Sequence, residues 1–144
     1  MILRTYQEND LDRMVDIWLE GSLQAHDFID KAYWESNQQE MKNVYLPMSE
    51  AYVIEEAGSI AGFVAVVDHY LAALFVDPKV QGKGYGKKLL DHVKERRDIL
   101  ELKVYQENEK AVRFYQAQGF TITEELVDEH TAAKEYVMTW RIMD

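Results

Sequence analysis

The sequence contains no cysteine. That absence removes disulfides, thiolate metal sites and a cysteine nucleophile from consideration, and no metal is expected. Proline is scarce: Pro47 and Pro78 are the only two. No linker, repeat or low-complexity stretch divides the chain. Long apolar runs are missing as well, since Phe63–Val67 and Leu71–Val76 are far too short to cross a bilayer. The first twenty residues carry Glu8, Asp10, Asp12, Asp16 and Glu20, which the apolar centre of a secretory signal excludes. A cytoplasmic protein without a membrane partner is therefore expected. Positive charge is in short supply, with 16 Lys and Arg against 26 Asp and Glu and a formal charge of −10. Nucleic acid is not expected as a partner, because phosphate backbones need a basic face. The acidity suits a cationic small molecule or a lysine-bearing protein, and equally serves solubility.

What is present is a chain that can bury a core. Its 144 residues are 47% hydrophobic and 12% aromatic, so one domain spanning 1–144 is expected without covalent staples. Residues 2–6 read as a strand, and Asn9 or Asp10 as the cap of a helix with Leu11, Met14, Val15 and Trp18 on its inner face. Gly21–Asp30 reads as a break, followed by a helix from about Lys31 to Tyr45. The texture then becomes β-rich. Ala51–Glu56 and Ile60–Asp68 flank the turn Ala57-Gly58-Ser59, and Leu71–Asp77 is apolar enough to be buried on both faces. Gly84–Arg97 reads as a helix, Leu100–Tyr105 as a strand, and Asn108–Gln118 as a helix closed by Gly119. Phe120–Val127 and Glu135–Ile142 complete the chain as an antiparallel pair. The order predicts an α/β arrangement on one mixed, mostly antiparallel sheet of six or seven strands, with helices on both faces.

One segment carries the chemistry. Leu74, Phe75 and Val76 lead through Asp77-Pro78-Lys79-Val80 into Gln81-Gly82-Lys83-Gly84-Tyr85-Gly86-Lys87, which opens a helix. Alternating glycines let backbone approach a ligand closely. The unpaired N–H groups of the helix start, with its dipole, make an anion site. Lys79, Lys83, Lys87 and Lys88 crowd into ten residues and add positive potential, so a phosphate-bearing ligand is expected. The Walker spacing is absent, and the spacing Gly82, Gly84, Gly86 fails the dinucleotide fingerprint. What the loop does match is Gln/Arg-x-x-Gly-x-Gly/Ala. A second segment, Asn108-Glu109-Lys110-Ala111-Val112-Arg113-Phe114-Tyr115, with Gly119-Phe120 after it, follows 22 residues beyond Gly86. On a helix, Asn108, Ala111 and Tyr115 share a face.

Together these segments resemble the two signatures of the GNAT acetyltransferase superfamily, and the element order is that family's order along nearly the whole chain. His26-Asp27-Phe28-Ile29 and Tyr70–Val76 add a likeness to its small single-domain bacterial members. The resemblance implies acetyl-coenzyme A as acetyl donor and an amine as acceptor. It implies backbone contacts from Leu74, Phe75 and Val76, a pyrophosphate seat on Gln81–Lys87, and further coenzyme contacts from Asn108, Ala111 and Phe114. It also implies that Tyr115 serves the departing sulfur. Without cysteine, direct transfer in a ternary complex is the simpler route.

The acceptor side is less determined. Asp68, His69 and His26 are candidates for taking up the amine's proton, although ordinary loop hydrogen bonds explain each of them and a water relay needs none. His26, Phe28, His69 and Tyr70 are candidate acceptor residues, with Tyr33 and Trp34 able to shape the same pocket. Glu124, Glu125, Asp128 and Glu129 could draw in a cationic amine, or could be solvated strand residues. A lysine, a peptide amino terminus and a small amine remain open as substrates, on a monomer or a homodimer. A non-catalytic acyl-coenzyme A sensor or interaction domain is the alternative reading. A nucleotide-binding module is disfavoured by the missing Lys-Ser/Thr and ribose-binding acid.

Overall fold

The computed structural model describes residues 1–142. Among these residues seven strands form one sheet: β1 Ile2–Thr5, β2 Glu50–Glu56, β3 Ser59–Val67, β4 Tyr70–Val76, β5 Ile99–Tyr105, β6 Thr121–Val127 and β7 Lys134–Arg141. Their spatial order is β1-β2-β3-β4-β5-β7-β6. Every neighbouring pair is antiparallel except β4 and β5, which run parallel. The hairpin β2–β3 turns on Ala57 and Gly58, both at positive φ, in keeping with a two-residue connection.

Alternation along the strands sends side chains into two cores. On one face Val53, Phe63, Ala65, Ala73 and Tyr105 pack under α1 (Leu11–Ala25) and α2 (Lys31–Ser36). On the other, Val64, Leu71, Leu100, Leu102 and Met138 pack against α4 (Tyr85–Lys94) and α5 (Glu109–Ala117). No helix among the described residues is long and apolar enough to cross a membrane.

Several local expectations need correction. Asp10 stands at the N-cap position of α1, one of the two expected, but its side chain makes no capping bond there. The Asp10 carboxylate is instead taken by Arg4 and by the Gln7 N–H, and Glu8–Asp10 forms a 3₁₀ turn leading into the helix. The helix does not break at Gly21. It runs on to Ala25, because a Cβ at Gly21 would stand 2.8 Å from Cδ1 of Phe75, and the missing side chain makes room for that ring. The expected helix from Lys31 to Tyr45 is interrupted at Asn37, whose side-chain amide donates to the Tyr33 carbonyl at 2.6 Å and competes with the backbone. A three-residue turn, α3 (Gln38–Glu40), and a π-helical turn, Met41–Tyr45, follow. The fourth strand is not buried on both faces. Ala72 is exposed and Leu74–Val76 are only half-buried, because β5 parts from β4 there.

Candidate active site

The site starts where β4 ends. Asp77 stops the strand: its carboxylate accepts the Lys79 N–H at 3.0 Å and pairs with Arg13 reaching over from α1. Both contacts hold the Asp77 carboxyl below its usual range, the backbone donor most. Gln81–Gly84 then form an exposed arc, and Gly84 enters the helix at φ +81, a left-handed conformation that favours glycine. The backbone bond from Lys88 N–H to Gly84 O closes the first turn at 3.1 Å. The N–H groups of Tyr85, Gly86 and Lys87 precede it, have no helical acceptor and face the arc. With the dipole of α4 they form a seat for an anion. The side chains contribute less than the sequence suggests. Lys83 pairs with Glu56 and Lys87 with Asp91, each at 2.7 Å, and the Tyr85 ring is buried, leaving its backbone to the arc. Gln81 spans the mouth, donating to the Val76 carbonyl at 3.3 Å and accepting from Lys110 at 3.0 Å.

Below the arc the sheet opens. β4 and β5 share one register pair, Tyr70 with Glu101, beside a bond from Glu101 N–H to the His69 carbonyl at 2.9 Å. Beyond it they separate, and a bulge at Ala72 adds to the twist of β4. Asp77 N–H donates to Ala61 on β3. By alternation the N–H of Phe75 also faces β3, whereas those of Leu74 and Val76 point out of the open edge. The Phe75 ring stacks on Phe63, with centroids 5.9 Å apart, and belongs to the α1 core.

Helix α5 forms the far wall. Asn108 caps it, Oδ1 accepting the Ala111 N–H at 3.3 Å. Phe114 lies over Gly86, where a Cβ would meet its Cζ at 3.5 Å. Tyr115 is half-buried between Phe114 and Phe120, at centroid distances of 5.3 and 5.5 Å. Burial, and then the neighbouring Tyr70 phenol, push its hydroxyl well above the ordinary tyrosine range, so it carries its proton at neutral pH. An open edge with outward N–H groups, leading to a phosphate-sized anion seat, fits a ligand with an amide-bearing arm ending in phosphates.

On the opposite face of the sheet a cavity of about 740 Å³ adjoins the parted strands. Ala72, Ala73 and Tyr70 form its β4 side, and Tyr33, Trp34 and Tyr105 are prominent in its aromatic wall. Carboxylates surround those phenols. The Tyr105 hydroxyl donates to Asp128 at 2.6 Å, and the Tyr70 phenol is raised by burial, then by Glu135 and Glu101. Glu135 is half-buried, and burial raises its carboxyl above the ordinary range, with Asp128 adding to the effect.

The expected acceptor residues therefore divide. Tyr70, Tyr33 and Trp34 line this cavity. Phe28 lies outside it, along a smaller hollow that also includes His26. His69 is exposed in the β3–β4 turn, five residues up an extended strand from Leu74 and hence about 17 Å away. His26 is buried, and burial drives its imidazole down to about 4. A base that weak takes up an amine's proton poorly. Asp68 lies in the same turn as His69. Tyr105 and Glu135 were missed: strand parity could have placed Tyr105 opposite Leu102 and Val104, but Glu135 meets it only through the β5–β7 register.

Residues 47–122 match the acetyltransferase (GNAT) domain family. The Escherichia coli K12 protein named peptidyl-lysine N-acetyltransferase YiaC is 36% identical over 143 residues, covering 99% of this chain and 98% of YiaC. YjaB of the same strain, also named a peptidyl-lysine N-acetyltransferase, is 30% identical over 122 residues, 84% of this chain and 82% of its own. The solution structure of apo-form YjaB from E. coli superposes with a TM-score of 0.85 at 27% identity, covering 97% of this chain and 98% of that one. In fold, the PaiA N-acetyltransferase of Thermoplasma acidophilum in complex with coenzyme A is also similar, with a TM-score of 0.80 at 18% identity over 98% of both chains. The chain thus belongs to the GNAT acetyltransferase family, and it transfers the acetyl group of acetyl-coenzyme A to an amine.

Proposed function

We propose that the amine is the side chain of a lysine in a protein or peptide, acetylated in the cytoplasm by direct transfer. The observation that carries this reading is the 740 Å³ cavity beside the parted strands, aromatic in its walls, with Asp128 bonded to the Tyr105 hydroxyl behind that wall and Glu135 and Glu101 near Tyr70. Aromatic faces attract an ammonium group, and nearby carboxylates hold it. A cavity of this volume admits a lysine side chain alongside the wall of Tyr33, Trp34 and Tyr105, and the names of YiaC and YjaB point the same way.

Acetyl-coenzyme A supplies the acetyl group as a thioester. Leu74 and Val76 offer N–H groups to its arm, the start of α4 holds its pyrophosphate, and Asn108, Ala111 and Phe114 flank it. An alkyl ammonium has a pKa of about 10.4 and must lose a proton before it attacks. Glu135 is the carboxylate among these that burial raises toward that task. Tyr115 would serve the departing sulfur. Its phenol is held well above 10, against about 8.5 for a thiol, which supports hydrogen-bond donation over full proton transfer.

The test offers acetyl-coenzyme A with three acceptors: a lysine peptide with a blocked amino terminus, a lysine-free peptide with a free one, and spermidine. Mass spectrometry should find the added acetyl on the lysine peptide. Acetylation of spermidine alone would refute the lysine reading. Replacing Tyr115 by Phe should lower kcat about a hundredfold while acetyl-coenzyme A binding stays within about twofold. An unchanged kcat would remove Tyr115 from the mechanism.

A further inference from the structure

We infer that His26 is a positioning residue for Asn108, fixing which atoms the Asn108 amide turns toward the coenzyme arm. The inference rests on the reading of Asn108 as a coenzyme contact.

A side-chain amide has an acceptor at one end and two donors at the other. At Asn108 the acceptor end is committed, because Oδ1 takes the Ala111 N–H and caps α5. That commitment turns Nδ2 toward His26, whose Nε2 lies 3.2 Å away. An amide nitrogen can only donate, so Nε2 must present its lone pair and Nδ1 must carry the ring proton. Nδ1 is buried and has no hydrogen-bond partner among the described residues. Only one of the two Nδ2 protons is used by His26; the other remains for a ligand carbonyl. Without the imidazole, a single 3.3 Å capping bond would hold the amide in this sense.

The imidazole is itself held firmly. His26 ends α1, and its own N–H is bonded to the Ser22 carbonyl at 2.9 Å. Its ring stacks on Trp34 at 5.0 Å and meets the edges of Tyr105 and Phe28 at 5.1 and 5.8 Å. Trp34 and Tyr105 also line the acceptor cavity. One buried ring therefore touches the coenzyme-side asparagine and two walls of the acceptor pocket. A purely space-filling role would need the ring but not the lone pair, and that difference makes the two roles separable.

The experiment measures acetyl-coenzyme A dissociation by calorimetry, together with KM and kcat, for His26→Phe, His26→Gln, Asn108→Ala and the double variant His26→Phe/Asn108→Ala. Phe keeps a ring and loses the acceptor; Gln keeps an acceptor near Nε2 and loses the stack. His26→Phe should weaken binding about five- to tenfold, the worth of one hydrogen bond, with kcat at saturation changed less than about twofold. His26→Gln should recover most of that loss. The double variant should bind no more weakly than Asn108→Ala alone, since the two residues act through one contact. Wild-type binding by His26→Phe, or additive losses in the double variant, would overturn the inference. An Asn108→Ala variant that binds normally would overturn the reading of Asn108 itself. Should His26→Phe fail to fold, the imidazole ¹⁵N spectrum of the unaltered protein decides. A proton on Nδ1 and a bare Nε2 are expected at neutral pH, and the opposite tautomer would refute the assignment.

Discussion

Acid should destabilise this protein through His26 before its carboxylates are reached. The imidazole titrates near 6.5 when exposed and near 4 in the folded state, and desolvation is the leading cause. Between those values the unfolded chain binds a proton that the folded chain refuses. Stability therefore rises with pH across this window and is lost as pH falls from 6.5 toward 4; below 4 the loss is complete. Two and a half pK units at 1.36 kcal/mol each give about 3 kcal/mol, a large fraction of a domain's usual 5–15. Urea denaturation at pH 7.5, 6.5, 5.5 and 4.5 would measure it, with His26→Gln alongside. His92, also lowered by burial, and the lowered carboxylates Asp10, Asp77 and Glu50 are common to both proteins and cancel in the difference. At pH 4.5 the unaltered protein should have lost about 2.5 kcal/mol more than the variant, about 1–2 M urea in midpoint. A difference that stays flat across the series would show that the ring is not held neutral by burial.

Two further substitutions probe the anion seat. Gly84→Ala places a Cβ on a residue at φ +81; it should cost about 1–2 kcal/mol in a urea melt and raise the KM for acetyl-coenzyme A, because the first turn of α4 must shift to relieve it. Arg13→Met leaves the buried Asp77 carboxylate with its backbone partner alone and frees the start of the arc. It should cost about 1–3 kcal/mol and weaken coenzyme binding measured by calorimetry, while kcat at saturation holds. Unchanged binding in either variant would detach the arc from coenzyme recognition.

The parts of the site that sit within one local segment were legible in the sequence. The run from Leu74 through the glycines to Lys87 declares a strand, a close-approach loop and a helix start by residue type alone, and Asn108, Ala111 and Tyr115 declare one side of a helix, although the role of Asn108 as its cap came only with the structure. What escaped depends on contacts between distant segments. Gly21 reads as a helix breaker until Phe75, 54 residues later, is seen to occupy the space its side chain would take. The lysines around the loop read as free positive charge, yet the partner of Lys83 is Glu56, on a strand whose register sequence periodicity does not give. His69 looked close to the acetyl site because it is near β4 in sequence, but an extended strand carries nearby residues far apart in space. His26 and Asn108 are separated by 82 positions, and only the tertiary fold, which sets the His26 ring at the end of α1 against Tyr105 at the end of β5, joins them.

The position of the site follows from the topology of the sheet. Five of its six neighbouring strand pairs are antiparallel, and each shows register pairs along the strands. The parallel pair, β4 with β5, cannot be joined by a tight turn; its connection must cross over through a helix. Residues 77–98 make that crossing, and the glycine arc and α4 lie on it. A parallel crossover returns the chain to the start of the next strand, so the loop leaving β4 is delivered to the carboxyl ends of both strands, where open α/β sheets bind their ligands. The bulge at Ala72 then releases β4 from β5 beyond a single register pair and turns the N–H groups of Leu74 and Val76 toward the gap. Unpaired strand edges ordinarily cost stability and invite aggregation. Here the gap lies inside the sheet, between α5 on one face and the aromatic wall of Trp34 and Tyr105 on the other. Its donors are screened from other chains but remain open to an extended ligand entering from the arc.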